Sequence, residues 1–210
     1  MEKKKPGRPS KNDSRRVEIL EKAANCFTQF GFNKTTLDDI GDALGFNKAA
    51  LYYYFKNKEE LFSNVMKYEL ARLWDRLREE RTNTKGFENK MLEYFEIRTD
   101  GWIALVKLNG LSKDNLINLN ETFSNAIMSF RGNEVQYLTS VIQEQKTKHN
   151  NTEIAKFLNN LLDVQTYITM SGILLESIDT DAKKLVEIKA KKNLVLMYYL
   201  SVLKSDKLPV

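Results

Sequence analysis

Asn47 to Lys58 read NKAALYYYFKNK, a run of tyrosines bracketed by lysines. Tyr52, Tyr53 and Tyr54 carry phenol hydroxyls, and Lys48, Lys56 and Lys58 carry ammonium groups. In a helix successive side chains point about 100° apart, so Tyr52 to Phe55 cannot all enter one core. Part of the run therefore faces outward. Exposed rings beside cations need a reason, and the question is what they touch. The competing reading is an aromatic cluster that only fills a small domain.

Other chemistries have little support. The single histidine, His149, lies in the polar stretch KTKHNN and is read as a surface residue. One histidine and the lone Cys26 cannot assemble a zinc cluster. Glu-x-x-His pairs, a G-x-S-x-G elbow and a phosphate loop are all missing. Cys26 sits among apolar neighbours and reads as an inert packing residue. A single cysteine also excludes an intrachain disulfide and fits a reducing cytoplasm. No segment reaches the ~18 apolar residues of a membrane span, and the basic N-terminus leads into no apolar signal core. No cofactor, no metal and no enzymatic activity are expected.

The net charge of +5 is localised. Lys3, Lys4, Lys5, Arg8, Lys11, Arg15 and Arg16 oppose only Glu2 and Asp13 in the first sixteen residues, and the remainder balances. A neutral body with a basic arm suggests a polyanionic partner. A solvated tail is the plainer alternative.

Helical periodicity and stop signals organise the chain. Residues 1–12, broken by Pro6 and Pro9, form a basic disordered arm. A first helix starts with Asp13 or Ser14 as N-cap, carries the stripe Leu20, Ala23, Phe27 and Phe30, and stops at Gly31. A second opens at Thr35 or Thr36, each with an aspartate three residues on, and ends at Gly45. Asn47 caps a third. Asn57 caps a fourth, which carries Leu61, Phe62, Val65, Met66, Leu70, Leu73 and Leu77 to about Arg81. Thr82 to Gly86 is read as a hinge. Five further stretches follow: Phe87 to Leu108, Ser112 to Phe130, Asn133 to Lys148, Thr152 to Ser177 and Asp181 to Lys204, about nine helices in all.

Two short helices joined at Gly45 suggest a helix-turn-helix, with Gly41 at the close crossing and Ile40, Leu44, Phe46 and Leu51 between the pair. Over about Val17 to Val65, FGFNKTTLDDIGDALGFNKAALYYYFKNKEELF resembles the DNA-binding domain of TetR-family bacterial repressors. The features that carry the likeness are GF after helix one, the paired threonines, LYYYFKNKEEL and the apolar start of helix four. The resemblance implies an all-α protein: a three-helix DNA-binding domain at 13–60, then a helical ligand-binding and dimerisation domain at 61–210. It implies double-stranded operator DNA, a small apolar effector and a second copy of the chain as partners.

If the third helix enters the major groove, Asn47, Lys48, Ala49 and Ala50 lie nearest the bases, with Lys48 donating to guanine. By analogy Tyr52 and Tyr53 face the DNA, while Leu51 and Phe55 point inward. Lys58 at the start of helix four, and Thr35 and Thr36 at helix two, are candidate phosphate ligands. Arg8, in a Gly-Arg-Pro tripeptide, is a candidate for the minor groove.

In the C-terminal half, Tyr94, Phe95, Arg98, Trp102 and Leu105 form one stripe. Arg98 in that stripe either meets an anionic ligand, or snorkels or pairs with a carboxylate such as Glu96 or Asp100 on its own or a neighbouring helix. Tyr94, Arg98, Trp102, Met128, Tyr137, Tyr167 and Met170 are pocket or core. Gly101 marks a kink or a close helix approach. FLNNLLDVQTYITMSGILLES (157–177) and LVLMYYLSVL (194–203) are apolar on more than one face and are interface candidates. Three hypotheses stand: a ligand-responsive repressor, the same fold controlled by a protein partner, and a helical enzyme with an unrecognised site.

Overall fold

The computed structural model describes residues 11–46, 48–79, 86–108, 121–175 and 182–204. Among these, all regular structure is helical: α1 (Lys11–Phe30), α2 (Leu37–Leu44), α3 (Lys48–Tyr54), α4 (Lys58–Glu79), α5 (Phe87–Leu108), α6 (Glu121–Gln143), α7 (Asn151–Leu175) and α8 (Ala182–Val202).

Local sequence chemistry sets the N-terminal boundaries. Gly31 and Gly45 both have positive φ, 78° and 68°. Thr36, not Thr35, caps α2: its hydroxyl accepts from the Asp39 N–H at 3.1 Å, and the Asp39 carboxylate accepts from the Thr36 N–H at 2.8 Å. At α4 the Asn57 side-chain Oδ1 accepts from the Glu60 N–H and the Glu60 carboxylate from the Lys56 N–H, each at 2.8 Å. Two expectations need correction here. Helix α1 already begins at Lys11, so neither Asp13 nor Ser14 caps it. Phe30 is half exposed rather than part of the buried stripe, which runs instead through Ile19, Leu20, Ala23, Ala24, Cys26 and Phe27.

Helix α4 belongs to both halves. Its first turns bury Leu61 and Val65 and pack on α1, where Tyr68 donates to the Glu21 carboxylate at 2.8 Å. Its later turns bury Leu73 and Leu77 and pack on α5 and α6. Gly101 of α5 is the closest approach: a Cβ there would lie 2.3 Å from Leu73 Cδ1 and 2.9 Å from Leu73 Cγ.

The expected break at Arg131 to Asn133 does not occur; α6 runs unbroken through it. Contacts on both sides hold the segment helical. Phe130 packs against Trp74 and Trp102, Arg131 binds Asn159 and Asp163 of α7, and Glu134 enters the core. These outweigh the ~1 kcal/mol that a mid-helix glycine costs. The described residues thus hold eight helices where about nine were expected. His149 is another correction, being buried in the α6–α7 connection with its carbonyl accepting from Gln143. The arm 1–10, residues 82–85 of the expected hinge, the stretch 112–120 and Gly172's surroundings lie outside the described residues.

Candidate nucleic-acid interface and effector cleft

Helix α3 is seven residues long and amphipathic in a specific sense. Leu51 and the following Phe55 are 0% and 1% exposed and anchor it. On its other side Tyr52 is 46% and Tyr53 75% exposed, and Ala49 is open to solvent. The Tyr54 ring stands edge-on to Tyr53 at 5.1 Å and is half-buried. Lys48 opens α3, though its side chain lies outside the described residues, as do Asn47 and Arg8.

The N-terminal turns of α1 meet this face. Asn12, Ser14, Arg15 and Glu18 line one groove with Tyr53 and Tyr54. The Arg15 guanidinium lies 4.3 Å from the Phe46 ring centre, and Arg16 lies 4.5 Å from that of Phe55. The sequence displays Arg15 and Arg16 only as part of a diffuse charge. Being helical, they are held against α3, a placement that charge density alone does not reveal.

Two expected phosphate ligands are otherwise engaged. Thr35 is fully buried and donates its hydroxyl to the Gly31 carbonyl at 2.8 Å. The Lys58 ammonium donates to the carbonyls of Phe32 (2.9 Å) and Thr35 (3.1 Å), and sits 4.4 Å from the Phe32 ring centre. It closes the α1–α2 connection onto α4. The Thr36 hydroxyl is exposed, yet it donates to the Asp39 carboxylate at 2.7 Å. That hydrogen bond, with the one from the Thr36 N–H, holds the Asp39 carboxyl below its usual range. A negative charge at that helix start opposes phosphate.

In the C-terminal half Arg98 is 1% exposed. Its partner is Glu134 of α6, not Glu96 or Asp100: Nε donates to Oε1 at 2.7 Å and Nη2 to Oε2 at 3.2 Å. Asp100 pairs instead with Lys189 at 2.8 Å, and Glu96 is exposed. Tyr94 donates to the same Glu134 at 3.0 Å, and burial together with that carboxylate pushes its phenol pKa well up. Thirty-six residues separate Arg98 from Glu134, so no local pattern predicts the pair.

Arg98 and Trp102 of α5, Met128, Phe130 and Arg131 of α6, and Asp163 of α7 line a cleft of about 450 Å³. The seven expected pocket residues therefore divide. Arg98, Trp102 and Met128 meet in the cleft, and Tyr94 lies beneath it through Glu134. Tyr137 stacks on Tyr94 and meets Trp74 edge-on, in the adjoining aromatic cluster. Tyr167 is 73% exposed on the outer surface of α7. The side chain of Met170 lies outside the described residues.

One buried cation was missed entirely. Lys192 of α8 is 2% exposed and donates to the hydroxyls of Thr169 (2.7 Å) and Thr99 (2.5 Å). Burial, aided by the Arg98 charge, brings its pKa down to about 7. In the sequence it hides among the other lysines of KAKKN.

Helix α2 ends at the positive-φ Gly45, and α3 beyond that turn is anchored on one side and presents phenols on the other, the arrangement of a helix-turn-helix nucleic-acid-binding domain. Residues 19–65 match the model for bacterial regulatory proteins of the tetR family. Two curated relatives are similar over part of the chain. One is the HTH-type transcriptional repressor KstR2 of Mycolicibacterium smegmatis, 39% identical over 71 residues, which are 34% of this chain and 35% of that protein. The other is the probable acrEF/envCD operon repressor of Escherichia coli, 44% identical over 50 residues, 24% of this chain and 23% of that protein. The alignments thus span only about a third and a quarter of these relatives. The whole fold resembles a transcriptional regulator from Cytophaga hutchinsonii, with a TM-score of 0.76 at 23% identity over 90% of this chain and 98% of that one. Residues 19–65 are thus similar to the DNA-binding domain of tetR-family bacterial regulatory proteins, and the helical body beyond them shares the fold of the solved regulators. No described helix is long and apolar enough to cross a membrane.

Proposed function

We propose that this chain is a ligand-responsive transcriptional repressor that binds an inverted-repeat operator as a homodimer. The observation that carries the reading is the outward face of α3, where Ala49, Tyr52 and Tyr53 stand open while Leu51 and Phe55 fix the helix from behind. Such a helix fits a major groove, with phenols reaching phosphates and Ala49 meeting a thymine methyl. Lys48, at the first position of α3, is the candidate base reader. The groove with Arg15 adds cationic contact along the backbone.

Dimerisation draws support from α8. Val186, Leu194, Met197 and Tyr198 are 67%, 72%, 44% and 63% exposed, at spacings that place them on one helix face. A second copy covering that face would set two α3 helices side by side for half-sites about 34–36 Å apart. The same face serves a different partner if the protein is controlled by another chain, which the oligomeric state distinguishes.

The effector half rests on the cleft and its link to α4. Trp102 meets Phe130 edge-on at 6.2 Å, and Phe130 meets Trp74 of α4 at 6.0 Å. A ligand that displaces Trp102 or Phe130 therefore presses on the helix that carries the DNA-binding domain. It releases DNA only if it binds the two tilts of α4 unequally.

The test is fluorescence anisotropy with DNA from the chain's own upstream region, alongside sedimentation equilibrium. A dimer that protects a symmetric site is expected. Tyr53→Ala should weaken that site at least about tenfold without lowering the melting temperature, since the ring packs mainly on Tyr54. A monomer with no preference among sequences would refute the reading.

A further inference from the structure

Two residues lining the cleft between α5, α6 and α7 each carry a buried N–H group with no acceptor. Arg98 spends Nε and Nη2 on Glu134 and Thr166, while Nη1 has no partner. Trp102 is 6% exposed, and its indole Nε1 also has none. The two residues are one helical turn apart on α5, with the guanidinium 5.6 Å from the indole ring centre. Both line the cleft. Leaving a buried donor unsatisfied costs about 1–3 kcal/mol, so two together need an explanation.

Charge, in contrast, is already balanced there. Arg98 is held by Glu134, and Arg131 by Asp163. An incoming anion would find no unpaired cation among the described residues of the cleft, and it would lose its hydration on entering. What the site lacks is an acceptor, not a charge. Around the donors, Ile127, Met128 and Phe130 supply apolar wall. Met128 is 71% exposed, so its side chain is the one free to part and admit a ligand to the shielded donors. The volume lies within the range of small-molecule sites, about 300–1,000 Å³.

We infer that the cleft binds an uncharged, largely apolar molecule through one carbonyl-type oxygen, which accepts from Arg98 Nη1 and Trp102 Nε1. This rests on the effector half of the function proposed above and replaces a wholly apolar effector with one carrying a single acceptor. The ligand's hydrocarbon body lies against Met128, Ile127 and Phe130. Trp102 is then at once a ligand contact and the first member of the aromatic path to α4.

The test is isothermal titration of the full chain with three probes of one skeleton: butylbenzene, 4-phenylbutan-2-one and 4-phenylbutyrate. The ketone should bind about tenfold tighter than the hydrocarbon, and the carboxylate no tighter than the ketone. Trp102→Phe keeps an aromatic ring and removes the donor, so the ketone's advantage over butylbenzene should shrink about fivefold. Equal binding of ketone and hydrocarbon would overturn the inference, as would no saturable binding of any probe. Tightest binding by the carboxylate would make this an anion site and overturn it too. The three-probe comparison needs no variant, so it holds even if Trp102→Phe misfolds. Operator binding by the ligand-free protein is measured separately. Failure of the probes therefore removes this ligand chemistry and leaves the DNA-binding reading standing.

Discussion

Gly101→Ala tests how tightly the two halves of the chain are joined. The new methyl would sit 2.3 and 2.5 Å from the two Leu73 methyls and 2.9 Å from Leu73 Cγ. Carbon atoms rest about 3.5–4.0 Å apart, so the overlap exceeds about 1 Å. The terminal methyls of Leu73 can rotate, but withdrawing Cγ needs a new χ1 rotamer in a packed core or a shift of α4, since Leu73 is only 4% exposed. Overpacking of this kind costs about 1–3 kcal/mol. Replacing a mid-helix glycine by alanine returns about 1 kcal/mol. A net loss of up to about 2 kcal/mol is expected, read from urea denaturation at one fixed protein concentration. Leu73→Ala alone should cost about 2–5 kcal/mol by opening a cavity. In the double variant the methyl introduced by Gly101→Ala fills part of that cavity. The losses should therefore fall short of additivity by about 1–3 kcal/mol. A stabilised Gly101→Ala, or an additive double variant, would show that α4 and α5 do not meet as described.

Lys58→Met removes two donors from the Phe32 and Thr35 carbonyls and should cost about 1–3 kcal/mol of stability. The salt slope of DNA binding should stay near its original value; a slope reduced by about one with stability intact would make Lys58 a phosphate ligand after all. Lys192 has its ammonium pKa lowered by burial to about 7, from the usual 10.5. The unfolded chain then binds the extra proton between pH 7 and 10.5, so this residue's cost to stability grows as pH falls through that window and is full below pH 7. Lys192→Met should thus stabilise the protein by about 1–4 kcal/mol at pH 6 and by much less at pH 10. The Thr99 and Thr169 hydroxyls keep their own carbonyl partners, Phe95 and Gln165, in that variant. An equal effect at both pH values in denaturant titrations would mean the amine is not desolvated.

The N-terminal domain was legible because short-range rules govern it. Thr36 with Asp39, Asn57 with Glu60, and Gly45 each act within four residues, and a single sequence displays such pairs. Long side chains escape that logic. Lys58 looks identical in sequence whether its ammonium reaches a phosphate or folds back over Phe32, and the difference depends on a carbonyl 26 residues away. Arg98 stands out in the sequence as an anomaly in an apolar stripe, but its resolution by Glu134 needed α6 in place. Turn signals misled at Arg131 to Asn133, where Gly132 lies in open space and its neighbours are held from α5 and α7. Among the exposed apolar residues of α8, periodicity marked the segment and could not say which face stayed uncovered.

Helix α4 runs unbroken from the DNA-binding domain into the bundle, and the match to the family model ends at residue 65, partway along it. No loop lies at that junction to absorb a change in length. Inserting one residue after Val65 would turn every later position by about 100° and advance it by about 1.5 Å. Leu73 would leave Gly101, and Trp74 would leave Phe130. Three or four residues would nearly restore the facing but move the contacts by about one turn, roughly 5 Å. A lineage exchanging one sensing body for another beneath this domain must therefore cut and rejoin in phase with the helix. Changes of length along α4 beyond residue 65 are quantised by the helical turn.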